Sequence, residues 1–196
     1  TKDLFFEPTL TKVGENQVLS MKLKTGANEF LEYKYILKPN DYMVDFDLRS
    51  QGLNTALNTT KPADLQWDLK SYRNEKSVSY ENRYAEIYYE HDGGKVDYAG
   101  LGKQEDEVLE KASFIAFKQH LFTSILLTQS PIDNVKVSST DLVNDDKKDT
   151  IYTKQFKSTL PLAFKNGELD YKMNWYYGPT DYKLLNKYDK NLEDIV

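Results

Sequence analysis

Apolar and polar positions alternate strictly in the first part of the chain. In residues 17–24, Leu19, Met21 and Leu23 share one face and Ser20, Lys22 and Lys24 the other. Residues 29–38 repeat the pattern with Leu31, Tyr33, Tyr35 and Leu37, and residues 41–49 with Tyr42, Val44, Phe46 and Leu48 opposite Asp45, Asp47 and Arg49. A period of two over three successive runs predicts antiparallel strands with one wet face. The separators Thr25-Gly26-Ala27-Asn28 and Pro39-Asn40-Asp41 have turn chemistry. After a polar loop over residues 50–62, strands are predicted at 64–70 and 83–90. A return strand at 95–99 follows the turn His91-Asp92-Gly93-Gly94.

Residues 104–111 are acidic without an apolar stripe and read as a loop with one helical turn, whereas 112–129 reads as one long buried strand closed by Ser130-Pro131. Strands at 136–143 and 151–164 flank a charged turn at 144–149. Asn166-Gly167 is the strongest hairpin signal and leads into 168–177, where Leu169, Tyr171, Met173 and Trp175 alternate. The period then changes: Tyr182, Leu185, Tyr188, Leu192 and Ile195 fall on one helical face behind Gly178-Pro179-Thr180-Asp181, a proline and carboxylate suited to a helix start. About ten strands and one terminal amphipathic helix predict an all-β sandwich.

Composition narrows the chemistry. The 196 residues carry a net charge of -5, no cysteine and two histidines, with 15 tyrosines among their aromatics. Thiolate metal sites, disulfides and cysteine nucleophiles are excluded. The acidic balance argues against a nucleic-acid surface. No window reaches the ~18 to 20 apolar residues of a membrane-spanning helix, and the start TKDLFFEP lacks the basic and apolar regions of a signal peptide. The expectation is a water-soluble chain, or a soluble piece of something larger.

Each candidate for chemistry has a plainer reading. His91 belongs to a turn, and His120, placed in the long apolar strand beside Lys118 and Phe122, reads as a partly buried, hydrogen-bonded histidine. The carboxylates Asp45 with Asp47, Glu105 with Glu107, and Asp145 with Asp146 read as solvated faces rather than the spaced pair of a glycosidase. Asn144-Asp145-Asp146 lacks the following glycine and glutamate of a calcium loop. Asn58-Thr59-Thr60 is a formal sequon, too short a pattern to carry weight. Tyr88-Tyr89 and Trp175-Tyr176-Tyr177 suit either a sugar or peptide groove or cross-strand packing. No glycine-rich phosphate loop, GxSxG elbow or HExxH motif occurs, so no catalytic, metal or cofactor residue is assigned.

The segments Phe114-Ile115-Ala116-Phe117-Lys118-Gln119-His120-Leu121-Phe122 and Trp175-Tyr176-Tyr177-Gly178-Pro179-Thr180-Asp181-Tyr182 resemble the periplasmic domain of YidC in the YidC/Oxa/Alb family of membrane protein insertases. A strand of the type W-x-A-x-K-Q-x-F-F there precedes Y-x-G-P and an amphipathic helix; Phe114 stands in place of the tryptophan and Leu121-Phe122 in place of the phenylalanine pair. The start Asp3-Leu4-Phe5-Phe6-Glu7-Pro8 looks like the Bacteroidetes branch.

The resemblance implies an antiparallel β-supersandwich, galactose mutarotase-like, over residues 1–178, with further strands preceding the point that matches Thr1, so that the chain matches about the latter two thirds of the domain. It implies a helix over 179–196 leading toward the membrane, which the domain would touch only through flanking segments. It also implies a location on the periplasmic face of the bacterial inner membrane, and a non-catalytic role in membrane protein insertion with Sec translocon subunits or nascent membrane proteins as partners. Phe114, Phe117, Phe122, Tyr177, Gly178 and Pro179 would then be mainly structural, and Tyr182, Leu185, Tyr188, Leu192 and Ile195 would form an interaction or lever helix. A carbohydrate-binding sandwich using Trp175 and Tyr176 is the alternative, and a peptide-binding chaperone with an open sheet edge a third reading.

Overall fold

The computed structural model describes residues 3–145, 147–149 and 151–196; Asp146, in the acidic turn noted above, lies outside them. In chain order the described residues form β1 (Glu7–Val13), β2 (Asn16–Lys24), β3 (Phe30–Leu37), β4 (Met43–Gln51), β5 (Ala63–Tyr72), α1 (Val78–Asn82), β6 (Glu86–His91), β7 (Lys95–Ala99), β8 (Gln104–Lys118), β9 (Phe122–Asp141), β10 (Tyr152–Leu162), β11 (Asp170–Pro179) and α2 (Tyr182–Asn186). The protein is mainly β, antiparallel and consistent with the expected β-sandwich. Two compact units divide it. One takes the chain up to Ala63 with Leu127–Gln129 and Leu162–Tyr176; the other takes Asp64–Leu126, Ser130–Pro161 and Tyr177–Val196.

In the first unit the strands run β1-β2-β3-β4-β11. The alternation sets their register: Tyr33 faces Leu48, and Tyr35 and Met173 flank Phe46 from either side. Phe46 is therefore ringed by aromatics, stacked on Tyr35 at 4.9 Å, edge-on to Tyr33 at 6.0 Å and tilted against Trp175 at 6.1 Å. The opposite face is ionic, as the pattern predicts. Asp45 pairs with Lys38 at 3.0 Å and Asp47 with Lys34 at 3.8 Å, so the two acids are strand-surface charges. β1 is absent from the sequence reading because all seven of its residues are exposed and carry no apolar face. Gly14, at φ 61°, makes the two-residue turn that brings it back on β2.

Glu32 is the exception on the ionic face, since it is 3% exposed. Burial alone would push its carboxyl up, but hydrogen bonds from the Ser20 hydroxyl and Arg49, with the charges of Arg49 and Lys22, outweigh burial and hold it below the ordinary value. A depressed folded-state pKa means the unfolded chain binds the proton more readily, so this stabilisation is complete above the ordinary glutamate value and is lost as pH falls through the folded one. Glu32→Gln is expected to lower the urea midpoint at neutral pH and to flatten its decline between about pH 5 and 3. Parallel declines in parent and variant would contradict this.

The Asn166-Gly167 turn forms as predicted, with φ of 53° and 80° and a bridge between Lys165 and Glu168. It does not zip into a hairpin: β11 goes to β4, while β10 lies beside β5 and β9. The Glu168 carboxylate explains the departure, because it accepts from the Ser50 hydroxyl and the Gly52 N–H at 2.7 Å each and so ties the turn to the end of β4. Acids close other loops likewise. Glu81 accepts from the N–H groups of Asn74 and Glu75, Glu105 from those of Gly100 and Leu101, and Asp149 from those of Asn144 and Asp145.

The second unit has the order β9-β8-β6-β7, with β10 beside β9 and β5 beside β10. Phe117 lies at its centre, stacked on Trp67 at 3.7 Å and tilted against Phe156 at 5.3 Å, opposite Ile87 in the β6 ladder. Two expectations fail here. Residues 104–111 are not a loop but the first half of β8; their alternation is hidden because Glu105 and Glu107 hold the inward positions, satisfied by loop N–H groups and by the Tyr89 hydroxyl at 3.1 Å. Nor is 112–129 one strand closed by Ser130-Pro131. It breaks at 119–121, where Gln119 N–H donates to the Phe122 carbonyl at 2.8 Å, and β9 then runs on through Ser130-Pro131 to Asp141, taking in the strand expected at 136–143.

The terminal helix is likewise corrected. α2 has five residues, capped by Asp181 accepting from the Leu184 N–H at 2.9 Å, and only a short 3₁₀ turn at Leu192–Ile195 follows. Asp189 and Asn191, at φ 51° and 56°, take the left-handed conformation that ends helices. The apolar spacing nevertheless places Leu185, Leu192 and Ile195 in the core.

Candidate functional site

The two segments that carry the family resemblance meet in the second unit. The turn between β8 and β9 exposes the carbonyls of Gln119 and Leu121, and Thr180, just past β11, fills both: its N–H donates to Leu121 at 2.9 Å and its hydroxyl to Gln119 at 3.2 Å. The other side of this turn holds His120. Its Nδ1 lies 3.2 Å from the Glu75 carboxylate, and its ring stacks on Tyr84 at 4.7 Å and stands perpendicular to Tyr80 at 5.4 Å. Asn74 adds a 3.4 Å contact to the Gln119 side chain. His120 is thus hydrogen-bonded and partly buried as expected, though in a turn rather than a strand.

Glu75, Tyr80 and Tyr84 escaped the sequence reading. α1 presents Tyr80, and Tyr84 follows four residues later, beyond the helix end. The readable signal was Ser77, whose hydroxyl accepts from the Tyr80 N–H at 3.2 Å and starts the helix.

The motif residues divide by role. Phe114 and Phe117 are core, Gly178 and Pro179 are half-buried, and Phe122 and Tyr177 are about half exposed, at 48% and 51%. Of the terminal residues, Leu185, Leu192 and Ile195 are buried, Tyr188 is half-buried and Tyr182 exposed. Lys118, buried behind the turn, lies 3.8 Å from Glu86 and 4.8 Å over the Tyr88 ring. Burial pushes its ammonium down, with Glu86 and Tyr84 opposing, while Tyr88 is pushed up to about 12 by burial and by Glu86.

Both histidines are placed against carboxylates. His120 faces a carboxylate and two rings rather than a nucleophile. His91 sits 3.2 Å from Asp92 in its turn. Among the described residues no group of three or more His, Asp or Glu side chains could hold a metal ion. Trp175 and Tyr176, the proposed sugar platform, are buried at 8% and 0% exposure. A cleft of 510 Å³ in the first unit is lined by Lys38, Asp41 and Tyr42, and two smaller ones of 260 and 300 Å³ in the second by residues of β8 with its neighbours; none includes His120 or its partners. What the junction offers is shape, aromatic surface and hydrogen bonding. Among the described residues no helix is long and apolar enough to cross a membrane.

The family model described as the YidC periplasmic domain matches residues 6–196. Relatives named membrane protein insertase YidC include those of Bacteroides fragilis, 28% identical over 99% of this chain, and Porphyromonas gingivalis, 30% identical over 98% of it. The chain spans only 31% and 30% of the length of these two relatives. A solved heparan sulfate lyase, HepC from Pedobacter heparinus, aligns over 89% of this chain and 22% of its own at 8% identity and a TM-score of 0.40, too loose a likeness to transfer a ligand. Matched over nearly its whole length, the chain belongs to the YidC periplasmic domain family.

Proposed function

We propose that this chain is the non-catalytic periplasmic interaction domain of an inner-membrane protein insertase, which assists the insertion and folding of membrane proteins by contacting Sec translocon subunits or nascent clients. The observation that carries the reading is the junction itself: the two resemblance segments are hydrogen-bonded into one surface through Thr180, Gln119 and Leu121.

In this reading residues 1–178 are the scaffold and 179–196 transmit its position toward the membrane. The lever does not rely on a continuous helix. It relies on Leu185, Leu192 and Ile195, which seat the segment in the core. Inserting a flexible Gly-Ser linker directly after Val196, in the insertase that carries the domain, leaves those contacts intact while uncoupling them from the membrane-embedded part. The expected result is a several-fold loss in insertion of a dependent client, read by protease protection. Unaltered insertion would sink the lever.

A further inference from the structure

Six large side chains around the junction stay exposed to between 38% and 57%: Tyr80, Tyr84, Leu121, Phe122, Tyr177 and Tyr182. They are held rather than loose. Tyr80 and Tyr84 touch each other at 5.2 Å and both pack on His120, which precedes Leu121 and Phe122; Thr180, bonded to that same turn, fixes the segment that carries Tyr177 and Tyr182. Four of the six are tyrosines, apolar bodies with polar tips that favour a boundary between water and hydrocarbon.

Charge separates this end of the unit from the rest of the chain. The chain carries -5 overall, yet Lys76, Arg83, Lys183 and Lys187 lie next to or within a few residues of these rings. All four are exposed, and none pairs with a carboxylate among the described residues. Of the nearby carboxylates, Glu75 is engaged with His120 and Asp181 with the Leu184 N–H, while Asp189 stands exposed between Lys187 and Lys190. Aromatic tips, two bare apolar side chains and unpaired cations together match an anionic lipid interface. There each basic residue near the surface multiplies binding about fivefold, and the apolar side chains enter the headgroup boundary.

We propose that this end of the second unit rests on an anionic bilayer surface, with Leu121 and Phe122 dipping into it and the four cations above the headgroups. The proposal is independent of which protein the domain serves, so its failure leaves the insertase reading standing, and unaltered insertion in the linker experiment leaves this one standing.

The test is co-sedimentation of the 196-residue chain with vesicles of phosphatidylcholine alone or with about one third phosphatidylglycerol. The expected result is binding to the anionic vesicles only, weakened at high salt. It should fall at least tenfold in Leu121→Ser/Phe122→Ser and, separately, in Lys76→Glu/Lys183→Glu. Both pairs change exposed side chains, and matching near-ultraviolet circular dichroism verifies their fold. Binding that is unchanged in either pair, or a parent chain that stays in the supernatant, overturns the proposal. A photocrosslinker at position 122 that traps a protein in place of lipid in cells also overturns it, in favour of a protein occupant.

Discussion

Phe117→Ala is expected to remove about 4 kcal/mol of folding free energy, the cost of emptying a closed aromatic site. The ring is fully buried between Trp67 and Phe156, and Trp67 lies parallel to it at 3.7 Å. Neither neighbour can collapse into the void without leaving its own strand, β5 or β10, so the cavity term adds to the lost transfer energy. Trp67 is also the natural reporter, since its emission changes when its stacking partner leaves. Phe122, five residues on in the same family motif, is half exposed, and Phe122→Ala is expected to cost less than about 0.5 kcal/mol. Urea unfolding of the pair separates the motif into a part that maintains the fold and a part that faces outward. A loss under about 1.5 kcal/mol for Phe117→Ala would place the ring outside the core.

The second large effect is expected at Lys154. The residue is 4% exposed and its ammonium donates to the carbonyls of Ala85 at 2.7 Å and Gly100 at 2.5 Å, fastening the entry to β6 and the exit from β7 to β10. Burial pushes its pKa down, opposed by the charges of Asp141, Glu86 and Glu105. Lys154→Met keeps much of the apolar stem and ends the burial of a charge, which by itself would stabilise. It also strands two buried carbonyls at about 1 to 3 kcal/mol each. The stranded carbonyls outweigh the relief, so a net loss of about 2 kcal/mol is expected, rising to about 4 for Lys154→Ala, which adds a cavity. Hydrogen exchange should rise first at the amides around Ala85 and Gly100. A methionine variant as stable as the parent would mean that the carbonyls find other donors.

Most of the strand plan was legible because side chains report faces. Residues 17–24, 29–38 and 41–49 pair in the register their alternation demands, and Tyr35 meets Phe46 for that reason. What escaped detection had its periodicity written in another alphabet. In the first half of β8 the inward positions are glutamates, which hydrogen bonding admits where hydropathy would not. β1 has no buried face at all, being held by the β2 ladder alone. The terminal segment misled in the opposite sense: Leu185, Leu192 and Ile195 are spaced for a helix and all are buried, but two left-handed residues between them replace the helix with a turn. At the junction, Thr180, Gln119 and His120 could be named from the sequence, but Glu75 and Tyr80 come from a stretch without a pattern, Tyr84 falls in an expected strand that begins only at Glu86, and only the fold brings the three to His120.

The carboxylates that close their own loops bear on how the proposed surface would meet an occupant. Glu81 gathers the amides of Asn74 and Glu75 directly before the helix that presents Tyr80, and Glu105 and Glu168 do the same for turns at 100–101 and 50–52. A loop that carries its own anion loses its conformational freedom as the chain folds, not when a ligand arrives, so association has less disorder left to remove. The tyrosine surface is in this sense prepaid: its shape is set by folding, and less ordering would be left to association.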